Sequence, residues 1–255
     1  MYNELFSIGP LHIRTYGVMI GAGYLAALVM SLYRGKKRNL DNDAIWDIFF
    51  CAIIGGLVGT KVLYYLTILP EIIKRPALMW ENFANGHVVY GGIIGGVLLS
   101  YLYCRWKKHN FWSYFDLVMP AVALAQAIGR IGCFFAGCCY GRETDAWYGI
   151  MFHNSQQAPN GVKLIPTQLI SSGADLLLCV VLLLFAGKER ANGRVAALYL
   201  MLYGVGRFLI EFLRNDYRGS VGILSTSQFI SIGAVAAGIV LYALAPKMCR
   251  QTRSL

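Results

Sequence analysis

Seven apolar stretches recur along this 255-residue chain, each close to the 17 to 25 residues (about 30 Å as a helix) needed to cross a hydrocarbon core. They run from Tyr16 to Tyr33, Ala44 to Leu69, Val88 to Cys104, Phe111 to Phe135, Leu169 to Ala186, Val195 to Leu213 and Phe229 to Ala245. Lipid offers no water to backbone N–H and C=O groups, and a helix satisfies them within its own segment. The expectation is an all-α polytopic membrane protein with seven transmembrane helices. Composition agrees, with 57% hydrophobic and only 14% charged residues, outside the range of soluble domains. No Pro/Ser-rich linker or low-complexity run divides the chain, so residues 1–255 are expected to form a single domain.

Seven crossings put the termini on opposite sides, and Lys/Arg content orients them. One set of alternate loops carries Arg34, Lys36, Lys37, Arg38, Arg105, Lys107, Lys108, Lys188, Arg190, Arg194, Lys247, Arg250 and Arg253. The other carries Arg14, Lys74, Arg75, Arg142, Lys163, Arg214 and Arg218 over longer loops. The N-terminus is therefore expected outside and the C-terminus in the cytoplasm. The net charge of +10 is mostly this signal, which favours anionic lipid as a partner and excludes nucleic acid, since no basic stripe with stacking aromatics accompanies it. Met1-Tyr2-Asn3-Glu4-Leu5 lacks a basic leader and cleavage site, so the first span is expected to be retained.

Three cations remain inside spans: Lys61, Arg130 and Arg207. A charge in hydrocarbon costs about 2.5 to 3.5 kcal/mol on insertion scales and marks a functional site. Counted by helix rise from the cytoplasmic ends, Arg130 stands roughly 27 Å up, Lys61 roughly 26 Å and Arg207 roughly 18 Å, all in the outer half. Tyr203, Arg207, Glu211 and Arg214 fall on one face of the sixth helix, where Glu211 is placed to pair with both Arg207 and Arg214. Guanidinium groups match phosphate oxygens and stabilise charge developing on a leaving phosphate. An outer-leaflet phospholipid would present its phosphate at this height. The long outer loop of about 136–166, with Trp147, Tyr148 and Phe152, is placed to cap such a site.

Gly129-Arg130-Ile131-Gly132-Cys133-Phe134 through Gly141 resembles the signature of the bacterial prolipoprotein diacylglyceryl transferases, Gly-Arg-x-Gly-Asn-Phe with later Asn, Glu and a closing Gly. Ile13-Arg14-Thr15-Tyr16-Gly17, Tyr90-Gly91-Gly92, Pro166-Thr167-Gln168-Leu169 and Tyr203-Gly204-Val205-Gly206-Arg207 with Glu211 and Arg214 follow in the family's order, so the likeness spans nearly the whole chain. The resemblance implies seven spans in a bacterial cell membrane and an active site toward the extracytoplasmic leaflet. It implies transfer of the diacylglyceryl group of phosphatidylglycerol to the lipobox cysteine thiol of a prolipoprotein, with release of glycerol phosphate. Arg130 and Arg207 would grip the phosphate, Tyr16 and Tyr203 would hydrogen-bond substrate or intermediate, and Glu211 would orient Arg207. Tyr90 would stand among the catalytic groups, and Gly91, Gly92, Gly129, Gly141 and Arg214 at the substrate. No metal or organic cofactor is implied.

Departures from the family pattern fall at chemically important places. The usual His-Gly-Gly is Tyr90-Gly91-Gly92 here, and a neutral Tyr is a poor base unless cations lower its pKa. His87, three residues before Tyr90, stays open as a substitute base, although it and His153 are more simply interfacial residues. The signature's Asn, Asn and Glu become Cys133, Ala136 and Cys138, followed by Cys139, and its His-Pro-Ser-Gln becomes Ile165-Pro166-Thr167-Gln168. The Cys-x4-Cys-Cys spacing is unlike paired zinc ligand sets, so a metal site is not expected. Packing of small side chains is the simplest expectation, a disulfide from Cys133 to one of the others remains open, and nearby Arg130 and Arg142 would lower a thiol pKa. Two other functions stay open: a related phospholipid-dependent transferase with a different acceptor, and a non-catalytic transporter of anionic lipid.

Overall fold

The structure, a computed structural model, describes residues 4–8, 11–83, 86–155, 157–188, 190–216 and 219–251. A hairpin of β1 (Glu4–Ile8) and β2 (Leu11–Arg14) leads into α1 (Thr15–Lys37). After it come α2 (Asn42–Thr67), the short α3 (Leu69–Lys74) and α4 (Leu78–Glu81), α5 (Val89–Trp106) and α6 (Phe111–Ala136). The following loop holds an antiparallel pair, β3 (Ile150–Met151) and β4 (Lys163–Leu164). Then follow α7 (Thr167–Ala186), α8 (Arg194–Glu211), the pair β5 (Ser220–Val221) and β6 (Leu224–Ser225), and α9 (Thr226–Gln251). Each apolar stretch of the sequence falls on one of the long helices, with ends displaced by a few residues.

Among the described residues, five helices are long and apolar enough to cross a membrane: Thr15–Lys37, Asn42–Thr67, Phe111–Ala136, Thr167–Ala186 and Thr226–Pro246. Helices α5 and α8 have 18 residues each. The first is diluted by Gly and Tyr, and the second carries Arg194, Arg207 and Glu211. Large apolar side chains point outward on many of these helices, among them Leu25, Val29, Leu57, Leu177, Leu184 and Val240, the reverse of a water-soluble surface.

Two compact units share the chain. In the unit Leu32–Tyr114, α2 and α5 are antiparallel and meet along a glycine seam. A Cβ on Gly91 would collide with the carbonyl of Gly59, and one on Gly95 with the carbonyl of Gly55. Backbones this close gain dispersion and weak C–H···O contacts in a solvent that supplies no hydrophobic drive. The Lys61 ammonium donates to Asn82 O at 3.0 Å and Gly86 O at 3.1 Å, tying the α4–α5 connection to α2. Lys61 thus serves this unit's own backbone carbonyls.

The other unit joins Met1–Ser31 to Phe115–Leu255. Met119 and Ala123 of α6, Leu178 and Leu182 of α7, and Val195, Ala196 and Tyr199 of α8 form its buried core. Gly204 lets α8 approach α9, since a Cβ there would lie 3.0 Å from Ser231 O. In the loop before α7, Phe152, Ala158 and Leu164 are buried around Phe134 at the end of α6.

Helix α8 begins on a polar clamp. Gly193, with φ 96, and Ala196 donate their backbone N–H groups at 2.8 Å to the two carboxylate oxygens of Asp116, a buried residue of α6. The carboxylate satisfies otherwise orphaned donors and faces the positive end of the helix dipole.

Candidate active site

The clamp sets the height of the site. Arg130 follows Asp116 on α6 by the same number of residues as Arg207 follows Gly193 on α8, so each helix climbs about 21 Å from the clamp to its arginine. The register is held on the way by Tyr199 OH donating to Gln126 Oε1 at 2.9 Å. Ser172 Oγ of α7 likewise donates to Ala127 O at 2.8 Å. The two arginines consequently line one cavity of about 250 Å³ with Ser171 and Asp175 of α7 and Tyr203 of α8. Leu177, Leu178, Val181, Leu202 and Ile210 give it an apolar wall.

Arg207 is held from two sides. Its Nη2 lies 2.6 Å from Glu211 Oε2 and donates to Ser227 Oγ of α9 at 2.9 Å. Its Nη1 is buried with no hydrogen-bond partner among the described residues. The electrostatic neighbours of Arg130 are Tyr203, Cys133, Cys139 and Asp175. Asp175 is 6% exposed, and its Oδ2 also has no hydrogen-bond partner among the described residues. Tyr203 stacks on Tyr199 at 5.4 Å between ring centroids, 8° from parallel. A preformed cavity with two guanidinium groups, a carboxylate oxygen without a donor and a phenol can bind an anionic group and accept a proton beside it.

Arg214 belongs to a different contact from the one expected. Past the end of α8 at Glu211 the chain continues in tighter turns, with Arg214 N–H donating to Glu211 O at 3.3 Å, but the two side chains do not pair. Arg214 instead makes a bidentate pair with Asp216, Nε to Oδ1 at 2.8 Å and Nη2 to Oδ2 at 2.6 Å. Burial disfavours the Arg214 charge, but Asp216 and Cys139 outweigh it and hold the pKa above the ordinary guanidinium range. Its backbone bridges Gly141, and Arg142 N–H donates to Leu213 O at 2.9 Å, so the end of α8 is pinned to the signature segment.

Residues 3–244 match the profile of the prolipoprotein diacylglyceryl transferase family. The phosphatidylglycerol–prolipoprotein diacylglyceryl transferase of Clostridium tetani is 47% identical over 238 residues, covering 93% of this chain and 95% of the relative. The chain belongs to the prolipoprotein diacylglyceryl transferase family. A Clostridium perfringens enzyme of the same name, numbered 2, is 46% identical with 93% of each chain covered. The Legionella pneumophila (strain Paris) enzyme is 33% identical over 93% of this chain and 94% of its own length.

Within this family member the expected residues separate into groups. Arg130, Arg207 and Tyr203 meet at the cavity, with Glu211 behind Arg207. Tyr16, at the start of α1, lies against α6, where a Cβ on Gly132 would stand 3.4 Å from Tyr16 O. Its electrostatic neighbours are Cys133, Cys138, Cys139 and Arg130. Gly141 permits close packing, since a Cβ there would lie 2.6 Å from Ile165 O. At Gly129 a Cβ would meet nothing within 4 Å, and nothing in the structure explains the glycine. Tyr90, Gly91 and Gly92 open α5 in the other unit, where both glycines face α2. His87 and His153 are exposed.

The three cysteines depart from expectation in two ways. Despite their spacing, all three sulfurs lie within 4.8 Å of one another. The Cys138 pKa is raised and not lowered, because hydrogen bonding with the Cys133 and Cys139 sulfurs, and then burial, favour its protonated form. Three other residues escaped the sequence-based expectation: Asp175, Ser227 and the capping Asp116. The first and last carry the same signal as the arginines, a charge inside an apolar stretch, but orientation by Lys and Arg takes no account of acids.

Proposed function

We propose that this chain transfers the diacylglyceryl group of phosphatidylglycerol to the lipobox cysteine thiol of a prolipoprotein, in keeping with its relatives, which are named phosphatidylglycerol–prolipoprotein diacylglyceryl transferases. The observation that carries the reading is the convergence of Arg130 and Arg207 on one cavity with Tyr203 and Asp175. The phospholipid phosphate lies between the two guanidinium groups, one of which keeps Nη1 uncommitted. Its acyl chains leave past the leucine-lined wall.

The acceptor sulfur attacks the terminal glyceryl carbon next to the phosphate ester oxygen. The C–O bond breaks, its electron pair stays on that oxygen, and glycerol phosphate departs as the C–S thioether forms. The leaving group gains negative charge, which two arginines in a water-poor cavity stabilise most at the transition state. Asp175 takes the thiol proton as general base, a task for which a neutral Tyr is poorly suited. Its protonation also removes a negative charge that would otherwise compete with the phosphate. Tyr203 and Tyr16 hydrogen-bond the headgroup. The chain crosses a bacterial cell membrane seven times with its N-terminus outside, as the Lys/Arg asymmetry of its loops favours, and the cavity serves the extracytoplasmic leaflet.

Supplied with phosphatidylglycerol and a lipobox peptide, the wild type should form lipidated peptide and glycerol phosphate. Arg130→Ala and Arg207→Ala should each lower kcat/KM by about 10²-fold or more. Wild-type turnover of neither substrate, or full activity of either variant, would refute the reading.

A further inference from the structure

At the end of α6 the chain turns back through residues 133–139, and the turn is built to gather sulfur. Gly137 and Cys139 both adopt positive φ, 69 and 61. That conformation is uncommon for a side chain such as Cys and persists only where surroundings enforce it. Here four contacts enforce it. Cys138 N–H and Sγ both approach Cys133 O, at 3.2 and 3.6 Å. Gln168 Nε2 donates to Cys138 O at 2.7 Å, and Thr167 Oγ1 to Cys139 O at 2.7 Å. Gln168 and Thr167 are each only 1% exposed, so these anchors are fixed by packing. Three thiols from two ends of one short turn end within 4.8 Å of one another.

We propose that Cys133, Cys138 and Cys139 form a three-thiolate site for a thiophilic divalent metal ion, zinc by the chemistry of the donor set. Tetrahedral zinc with Zn–S of about 2.3 Å requires sulfurs about 3.8 Å apart, a contraction within reach of side-chain rotation. Three thiolates leave a fourth position for water or another ligand, as in metal sites that are not closed. The resulting complex carries one net negative charge. Arg130 has Cys133 and Cys139 as electrostatic neighbours, and Arg214 has Cys139, so cations stand ready to balance it. Binding displaces the thiol protons to solvent and needs no oxidant or reductant. The anchoring by Gln168 and Thr167 does for the sulfurs what outer-shell hydrogen bonds do for metal ligands elsewhere. The metal site adjoins the transfer site, since Arg130 and Tyr16 neighbour its sulfurs, but metal binding does not depend on the transfer chemistry above.

The test uses the full chain, reduced and metal-free in detergent, titrated with Co(II) as a spectroscopic probe and then with Zn(II). The wild type should bind one equivalent with sulfur-to-cobalt charge-transfer absorption, which Zn(II) bleaches. Zn(II) should raise the melting temperature and protect all three cysteines from alkylation, read by mass spectrometry. Cys133→Ser, Cys138→Ser and Cys139→Ser should each lose the absorption and the Zn(II)-dependent rise, while Cys51→Ser keeps both. Absence of charge transfer in the wild type, or its retention in the serine variants, would overturn the proposal. So would wild-type alkylation unchanged by Zn(II), a measurement that does not depend on any variant folding.

Discussion

Asp175 occupies the position where a single proton has the largest consequence. Its Oδ2 is buried without a hydrogen-bond partner among the described residues, and it shares the cavity with both arginines. We expect Asp175→Asn to lower kcat by about 10² to 10⁴-fold while phosphatidylglycerol KM changes little, as loss of a proton acceptor requires. A variant that changed KM alone would make the carboxylate an electrostatic partner of Arg130 and not the acceptor. The arginines were legible in the sequence because a cation in an oily segment stands out by its cost. Asp175 carries the same anomaly within Gly173-Ala174-Asp175-Leu176-Leu177. It was missed because spans were oriented by Lys and Arg alone, and the resemblance offers no acid at that place. Cys138 shows the converse limit. Proximity to cations was visible in the sequence, but the neighbouring sulfurs that keep its proton in place are brought there by two left-handed residues that spacing does not reveal.

Helices carry these side chains to a common level through the Asp116 clamp. Replacing Asp116 by Ala leaves the Gly193 and Ala196 N–H groups without their carboxylate. We expect a loss of about 1 to 3 kcal/mol in thermal or denaturant unfolding. Activity should fall with it, although Asp116 stands about 21 Å from the arginines along the helix. Unchanged stability would mean that core packing alone positions α8. Periodicity placed Tyr203, Arg207 and Glu211 on one face correctly, because a helix repeats its geometry for as long as it lasts. It failed one turn later at Arg214, where the helix has ended and Asp216 supplies the partner. By resemblance, Gly91 and Gly92 are expected at the substrate. The structure gives Gly91 a definite packing duty against Gly59, and that duty accounts for a glycine without any ligand.

At the scale of the molecule, long apolar runs marked the number and order of the long helices, since within a single segment only a helix satisfies its own backbone in lipid. They said nothing of the hairpins and short helices, which are too short to stand out as apolar runs. The proposed orientation predicts that a membrane-impermeant reagent applied to intact cells labels a cysteine placed in the loop at Trp147, which is 92% exposed, and not one placed beside Lys107. Labelling of the second without the first would invert the topology. The central claim is that Arg130 and Arg207 act on one phosphate. A double-mutant cycle on transfer from phosphatidylglycerol to a lipobox peptide tests it most directly. If both hold the same leaving group, Arg130→Ala and Arg207→Ala should each remove most of kcat/KM, and the double variant should fall well short of the product of the two losses. Losses that simply multiply, or a single variant that retains full transfer, would contradict the shared site.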